Sequence, residues 1–298
     1  ATGSIAAGGT LGILIPPSVT MILYGIASET SIGRLFLAGV VPGLMLTGLF
    51  MLWALFLCWK RGEGLAKIGE RYSLRQKLEV LPRILPFLLI IAGVVYSMYG
   101  GLATPSEAAG VGAMLCLLLV ILIYRVWQPT ALWHIMRDGM RESVMIMMII
   151  GTSVLFSYML SSLYVTQAIA EWIALLDINR WLLLFCVNIL LLVAGCFLPP
   201  AAVILMTTPI LLPIIVNAGF DPIWFGVMLT INMELGLITP PVGLNLYVIN
   251  GIAPKIKLPT ILYGALPFMA CMVVGMMLLC LFPGIATWLP DYLMGPGL

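Results

Sequence analysis

Apolar residues along this chain come in runs of about twenty, parted by short polar stretches, with no sustained period-two alternation. Runs of that length match the ~20 residues an α-helix needs to cross ~30 Å of hydrocarbon. The pattern predicts membrane helices over residues 1–27, 35–59, 84–100, 106–124, 142–165, 181–217, 223–250 and 258–284. Alternating ten-residue segments of the outer-membrane barrel kind do not occur. The expected fold class is an all-α integral membrane protein. Composition agrees, with 62% hydrophobic and only 9% charged residues, against ~25% charged in an ordinary soluble domain. The chain opens on ATGSIAAGGTLG, without a Met or a basic flank. It reads as the middle of a small-residue membrane helix rather than a signal peptide, so sequence ahead of it is expected.

Charge orients the helices. Residues 60–83, KRGEGLAKIGERYSLRQKLEVLPR, residues 125–141, and the PKIK stretch at 254–257 together hold 12 of the 14 Lys and Arg. The positive-inside rule puts all three loops in the cytoplasm. Counting crossings outward from them, 84–100 leaves, 106–124 returns and 142–165 leaves again. The amphipathic TQAIAEWIALLDINR that follows reads as an outer-surface helix. Because PKIK must again be inside, 181–217 has to begin and end outside. It therefore reads as a re-entrant hairpin with its turn at Leu198-Pro199-Pro200-Ala201. A pair of tightly linked full crossings is the alternative, and it would place PKIK outside.

Two stretches then stand out. GILIPPSV at 12–19 and GLITPPVG at 236–243 each set a double proline inside an apolar run. Proline in a helix interior removes a hydrogen bond and clashes with the previous turn, at about 3 kcal/mol or more. At an offset of 224, Gly12 meets Gly236 and Pro16-Pro17 meet Pro240-Pro241. A one-residue slip later, Gly39 meets Gly264 and Pro42 meets Pro267. The crossing count makes the two stretches antiparallel, an inverted repeat of interrupted helices. The first repeat would end at residue 59, the 60–83 loop would follow, and 84–298 would form the second. Interrupted helices in inverted repeat characterise secondary transporters. Bare carbonyls, intolerable against lipid, can line a cavity there and ligate a small hard cation, while half-helix N-termini face an anion.

Three runs carry a family resemblance: GTLGILIPPSVTMILYGIASETSIGRLFLAGVVPGLML, GLATPSEAAGVGA, and TTPILLPIIVNAGFDPIWFGVMLTINMELGLITPPVGLNLYVINGIA. Together they resemble the large membrane subunit of TRAP transporters, the tripartite ATP-independent periplasmic carriers. The resemblance implies an elevator-type fold and uptake driven by Na⁺. It implies a periplasmic substrate-binding protein as partner, and a small four-helix membrane subunit, separate or fused. The substrate class would be organic acids such as C4-dicarboxylates, sialic acid and other sugar acids. The setting would be the bacterial inner membrane. It makes 196–203 the hairpin tip, 12–18 and 236–243 the unwound breaks, and it expects a matching hairpin ahead of residue 1. One Na⁺ site would draw on carbonyls of Gly12, Ile15 and Pro17. A second would draw on Gly236, Thr239 and Pro241 facing Cys196, Leu198 and Pro199, with Thr239 adding its hydroxyl. Pro199, Pro200, Ala201 and Gly243 would border the substrate. The apolar tip CFLPPAA departs from the polar or acidic tip expected of many relatives.

Single residues add candidates. Asn245, Ser18 and Thr20 can donate to a substrate carboxylate or simply bond neighbouring helices. Glu234 is an intramembrane acid, a functional candidate by default, or else a protonated packing residue. Glu107 reads as a helix N-terminal acid capped by Thr104 or Ser106. Thr207 and Thr208 read as backbone-bonding hydroxyls. Arg34 and Arg180 are the outer basic residues, available to steer a partner. Six cysteines without ligand spacing read as reduced packing residues. One His (His134, on a surface segment), no HExxH and no paired intramembrane acids leave no hydrolytic site, so no enzyme is expected. No P-loop or nucleic-acid motif occurs. A single-component divalent-anion/sodium symporter is the nearest rival, and a non-transporting scaffold would not need two interrupted helices.

Overall fold

A computed structural model describes residues 2–61, 74–100, 102–175, 178–252 and 256–295, and among them every regular element is helical. The helices are α1 (Thr2–Leu14), α2 (Val19–Ser28), α3 (Ile32–Arg61), α4 (Leu74–Tyr99), α5 (Pro105–Leu122), α6 (Pro129–Ser162), α7 (Val165–Leu175), α8 (Arg180–Phe197), α9 (Pro200–Asn217), α10 (Pro222–Ile238), α11 (Leu244–Ile252), α12 (Leu258–Leu281) and α13 (Gly284–Met294). Six of them are long and apolar enough to span a membrane, and α1 with α2, bent by 41° at the break between them, has the composition of a broken span or a re-entrant loop. Residues 62–73 of the basic loop and residues 253–255, which include the first two of the PKIK stretch, lie outside the described residues. The chain divides into two compact units, residues 1–55 with 148–298, and residues 56–147.

The first unit is built round α10. Every residue from Trp224 to Ile238 is buried, as befits a helix with apolar residues on every face, and Thr230, Asn232 and Glu234 are its polar side chains. Its ends are fixed locally. Asp221 accepts from Trp224 N–H at 2.8 Å with Pro222 in the first turn, a standard N-terminal arrangement. Helices α8, α1, α12, α2, α9, α11 and α13 all pack on it. The two interrupted helices pack reciprocally: α1 touches both α10 and α11, and α10 touches both α1 and α2.

Small residues set these distances. A Cβ on Gly3 would fall 2.0 Å from the Gly264 carbonyl carbon, so α1 lies backbone-on-backbone over α12. A Cβ on Gly236 would fall 2.8 Å from the Gly195 carbonyl carbon, which brings α8 equally close to α10. Without a hydrophobic drive between helices in lipid, such close approaches supply the van der Waals contact that holds the bundle. Aromatic pairs complete it, with Phe50 edge-on to Phe268 at 5.3 Å and Phe220 stacked on Trp224 at 5.3 Å.

The second unit contains α4 packed on α5, with Gly112 facing Val94. Thr104 caps α5 reciprocally with Glu107: Thr104 N–H donates to the carboxylate at 2.8 Å, and Glu107 N–H donates to the Thr104 hydroxyl at 3.4 Å. Of the two caps the sequence offered, Thr104 is the one used.

Other boundaries differ from those read in the sequence. Helix α4 starts at Leu74, inside the stretch read as a loop, and α6 runs unbroken from Pro129 instead of starting near 142. In both cases a charged but propensity-compatible flank extends the apolar helix. Helix α13 lies beyond the last expected crossing. The Arg34 guanidinium donates to the Asp291 carboxylate and, at 2.9 Å, to the Gly295 carbonyl, tying α13 to the start of α3. Arg34 is thus committed within the fold rather than free to steer a partner.

Two glycines separate backbone from side-chain crowding. A Cβ at Gly275 would meet the tip of Leu46 at 2.4 Å, an atom that a rotamer change can move, whereas at Gly236 it meets backbone. Gly236→Ala is expected to destabilise by about 1–3 kcal/mol, and Gly275→Ala by less. Thermal unfolding of the two variants in detergent checks the order.

Candidate functional site

Both predicted breaks are present but shorter than expected, since residues 12–14 and 236–238 remain helical. The first spans residues 15–18 between α1 and α2, the second residues 239–243 between α10 and α11, and each contains a cis Pro-Pro bond. Each break is secured by its own hydroxyls. Ser18 is buried and donates to the Ile13 carbonyl, accepts from Met21 N–H at 3.3 Å as the cap of α2, and lies 2.9 Å from the Thr20 hydroxyl. Thr20 Oγ1 also reaches Ile13 O at 3.3 Å. At the second break Thr239 Oγ1 donates to Leu235 O at 2.5 Å, while Thr239 N–H donates to Gly236 O at 3.2 Å. These hydroxyls satisfy carbonyls that a broken helix leaves orphaned.

The remaining predicted residues separate into two groups. Cys196 is buried beside Gly195, whose backbone contacts Gly236, so the turn between α8 and α9 meets the end of α10. Leu198 and Pro199 at that turn are exposed, and Pro200 and Ala201 are half-buried in the first turn of α9. Across from them Thr239 is half-buried and Pro241 exposed. Gly243 adopts φ +55°, a conformation that disfavours a side chain, and Asn245 lies half-buried in the first turn of α11. The structure thus brings one hairpin turn and one break together. Around the first break, Gly12, Ile15 and Pro17 are exposed, and a Cβ on Gly12 would meet nothing within 4 Å among the described residues.

Two residues that carry this arrangement escaped the sequence reading. Asn232 Nδ2 donates to both the backbone carbonyl and the side-chain oxygen of Asn188, each at 2.9 Å, and Asn188 Nδ2 donates to Leu184 O at 2.9 Å. The pair joins α8 to α10 one turn along α10 and two turns along α8 from the Gly195–Gly236 contact. Its signal was an amide inside each of two apolar runs, alone in LLLFCVNILLLV and accompanied by Thr230 and Glu234 in GVMLTINMELG. Glu234 is fully buried, and neither carboxyl oxygen has a hydrogen-bond partner among the described residues. Thr10, its counterpart at the 224 offset, is equally buried and donates to Ala7 O at 2.7 Å. Thr207 bonds Val203 O at 2.7 Å as expected, but the buried Thr208 hydroxyl has no partner among the described residues. Arg180 lies over the rings of Trp181 and Phe220. All six cysteines are free.

Residues 1–285 match the family model of the tripartite ATP-independent periplasmic transporter, DctM component. The chain belongs to this family. It is 38% identical over 291 residues to the C4-dicarboxylate TRAP transporter large permease protein DctM of Pseudomonas aeruginosa, covering 98% of this chain and 67% of that one. It is 33% identical to the sialic acid TRAP transporter large permease protein SiaM of Vibrio cholerae, covering 100% and 69%. To the ectoine TRAP transporter large permease protein TeaC of Halomonas elongata it is 33% identical, covering 94% and 65%. As a DctM component with six or more apolar helices, it is a multi-pass inner-membrane transporter subunit and not an enzyme. The match favours the tripartite reading over a single-component symporter.

In this DctM component the two asparagines are not equivalent. Asn188→Ala leaves Asn232 its backbone acceptor, whereas Asn232→Ala removes both interhelical bonds. Interhelical hydrogen bonds in membranes average about 0.6 kcal/mol. Asn232→Ala is therefore expected to cost about 1 kcal/mol and Asn188→Ala about half of that, measured by denaturant titration in mixed micelles.

Proposed function

We propose that this chain is the permease subunit of a sodium-coupled importer of an organic acid, working by an elevator movement. A periplasmic binding protein delivers the substrate, and a small four-helix membrane subunit, separate or fused, completes the membrane part. The single observation that carries the reading is the seating of the α8–α9 turn on the second break through Gly195 and Gly236. Helix α10 ends there at Ile238, and α11 starts at Leu244. Carbonyls at Gly236, Thr239 and Pro241, with the Thr239 oxygen and the turn at 196–199, form one ring of hard donors for Na⁺. The Thr239 proton is committed to Leu235 O, so its lone pairs face outward as ligands. Carbonyls of Gly12, Ile15 and Pro17 serve a second Na⁺ at the first break. The N-terminal turns of α9 and α11 present N–H groups to a carboxylate at Pro200, Ala201 and Gly243, with Asn245 as a side-chain donor. Ser18 and Thr20, already bonded to Ile13 O, hold the first break in shape and border the same space.

Substrate chemistry follows the family. The relatives are named for a C4-dicarboxylate, sialic acid and ectoine. All three carry at least one carboxylate, the group that half-helix N-termini recognise. In the proposed orientation the α8–α9 hairpin enters from the periplasmic side and the two interrupted helices run antiparallel.

Uptake of labelled organic acids into proteoliposomes containing the complete transporter tests this. With the cognate binding protein present, an inward sodium gradient should raise initial uptake by at least about tenfold over a potassium gradient. Uptake indifferent to sodium rejects the coupling.

A further inference from the structure

A cavity of about 300 Å³ lies within the first unit among α2, α6 and α9, away from both breaks. Its wall on α6 is Ser153, Ser157 and Ser161, at i, i+4 and i+8 on one helix face. Other hydroxyls of the same helix turn back on it: Ser143 donates to Gly139 O at 2.9 Å and Thr152 to Met148 O at 2.9 Å. None of the three cavity serines does so among the described residues, and Ser153 is 93% buried. Ser153 is buried, Ser157 half-buried and Ser161 exposed, so the three run from the floor of the cavity to its edge, and because none takes the acceptor one turn back their oxygens stay available to a guest.

The charge at the cavity points to what that guest is. Glu29 is the one charged residue lining it among the described residues, and it is exposed together with Tyr158 and Ser161. Glu29 is also the C-cap of α2, and Ile26 and Ala27 of its last turn line the cavity, so the negative end of that helix dipole lies there too. Towards the floor the lining is buried, at Ser153 and Leu205. Leu205 lies about 7.5 Å along α9 from Pro200, at 1.5 Å per residue, so the floor of the cavity is within two turns of the start of that helix.

We infer that this cavity is an outer-side binding site and entrance for a monovalent hard cation, Na⁺. Hydroxyl oxygens and a helix C-terminus are hard donors. A single carboxylate matches one positive charge, where a divalent ion calls for several. The same carboxylate repels the anionic substrate, so cation and substrate enter by different routes. The inference rests on the sodium-coupled reading and its membrane orientation for the identity of the ion and the side of entry.

Two measurements on the complete transporter in proteoliposomes test it. With the native cysteines replaced, Ser157→Cys is exposed from outside to a trimethylammonium or a sulfonate methanethiosulfonate. The cationic reagent is expected to react at least about tenfold faster, with Glu29→Gln removing most of that preference. Equal rates, or faster reaction of the anion, overturn the site, and this arm does not depend on sodium coupling. In uptake, Glu29→Gln should raise the sodium concentration for half-maximal rate by about fivefold while the substrate constant stays within about twofold. A shift in the substrate constant alone overturns the inference. Ser153→Val, which narrows the floor without touching charge, should also raise the sodium requirement, and an unchanged requirement in both variants overturns it. If uptake by the unaltered transporter ignores sodium, the coupled function fails and the labelling rates alone decide whether the cavity selects cations.

Discussion

The contact on which the rest depends is the backbone approach of α8 to α10 at Gly195 and Gly236. A side chain at Gly236 would overlap the Gly195 carbonyl carbon and oxygen, at 2.8 and 2.9 Å. Because Gly236 lacks a Cβ, the end of α8 can lie against the end of α10, whereas a Cβ at Gly195 would meet only the movable tip of Met233 at 3.3 Å and Gly236 Cα at an ordinary 3.8 Å. That proximity brings the 198–199 turn to a helix end whose carbonyls have lost their partners. An alanine in place of Gly236 would force the two helices apart, and a break facing lipid would leave carbonyls unsatisfied at several kcal/mol each. Glycine at this point is therefore a condition for having an interrupted helix at all. The Asn188–Asn232 bonds, one turn away on α10 and two on α8, fix the rotation of the same helix pair.

The two interrupted helices solve the same problem with different side chains. In the first, Ser18 and Thr20 converge on one carbonyl, Ile13 O, from beyond the break. In the second, Thr239 reaches back to Leu235 O from its first residue. The aligned double prolines ensure that neither helix can continue, while the hydroxyls limit how many carbonyls stay open. The first half of each interrupted helix touches both halves of the other, α1 meeting α10 and α11 and α10 meeting α1 and α2, so the two breaks are held within one packed group of helices.

Much of this was legible in the sequence because its causes are local. Helix lengths follow from apolar runs, the breaks from Pro16-Pro17 and Pro240-Pro241, and the Thr104–Glu107 cap from a three-residue spacing. The turn between α8 and α9 falls at Leu198-Pro199, where proline forbids a continuous helix. What could not be read is what depends on which face of a helix meets which neighbour. Arg34 looked like a free outer charge, and only the fold brings Asp291 to it across most of the chain. Asn188 and Asn232, 44 residues apart, looked like two stray amides until α8 and α10 were placed side by side. The start of α6 at Pro129 was misjudged for another reason. The charge of Arg137, Asp138 and Arg141 argues against hydrocarbon, not against helix.

Hydroxyl groups give the clearest division between structure and function in this molecule. In a membrane helix a Ser or Thr has a ready acceptor one turn back, and Thr47, Ser143, Thr152, Thr207 and Thr230 all use it. Such a residue is satisfied wherever it points and carries little information. A hydroxyl that forgoes that acceptor gives up a bond available at no conformational cost, so the surrounding polar space has to replace it. Ser18 does so at the first break, where the Ile13 carbonyl is the replacement. The α6 serines do so along one face, where the replacement is a cavity edged by Glu29 and the end of α2. The first case keeps an interrupted helix in shape. The second leaves oxygen donors facing open volume inside an apolar bundle, an arrangement that stabilises a partly dehydrated cation.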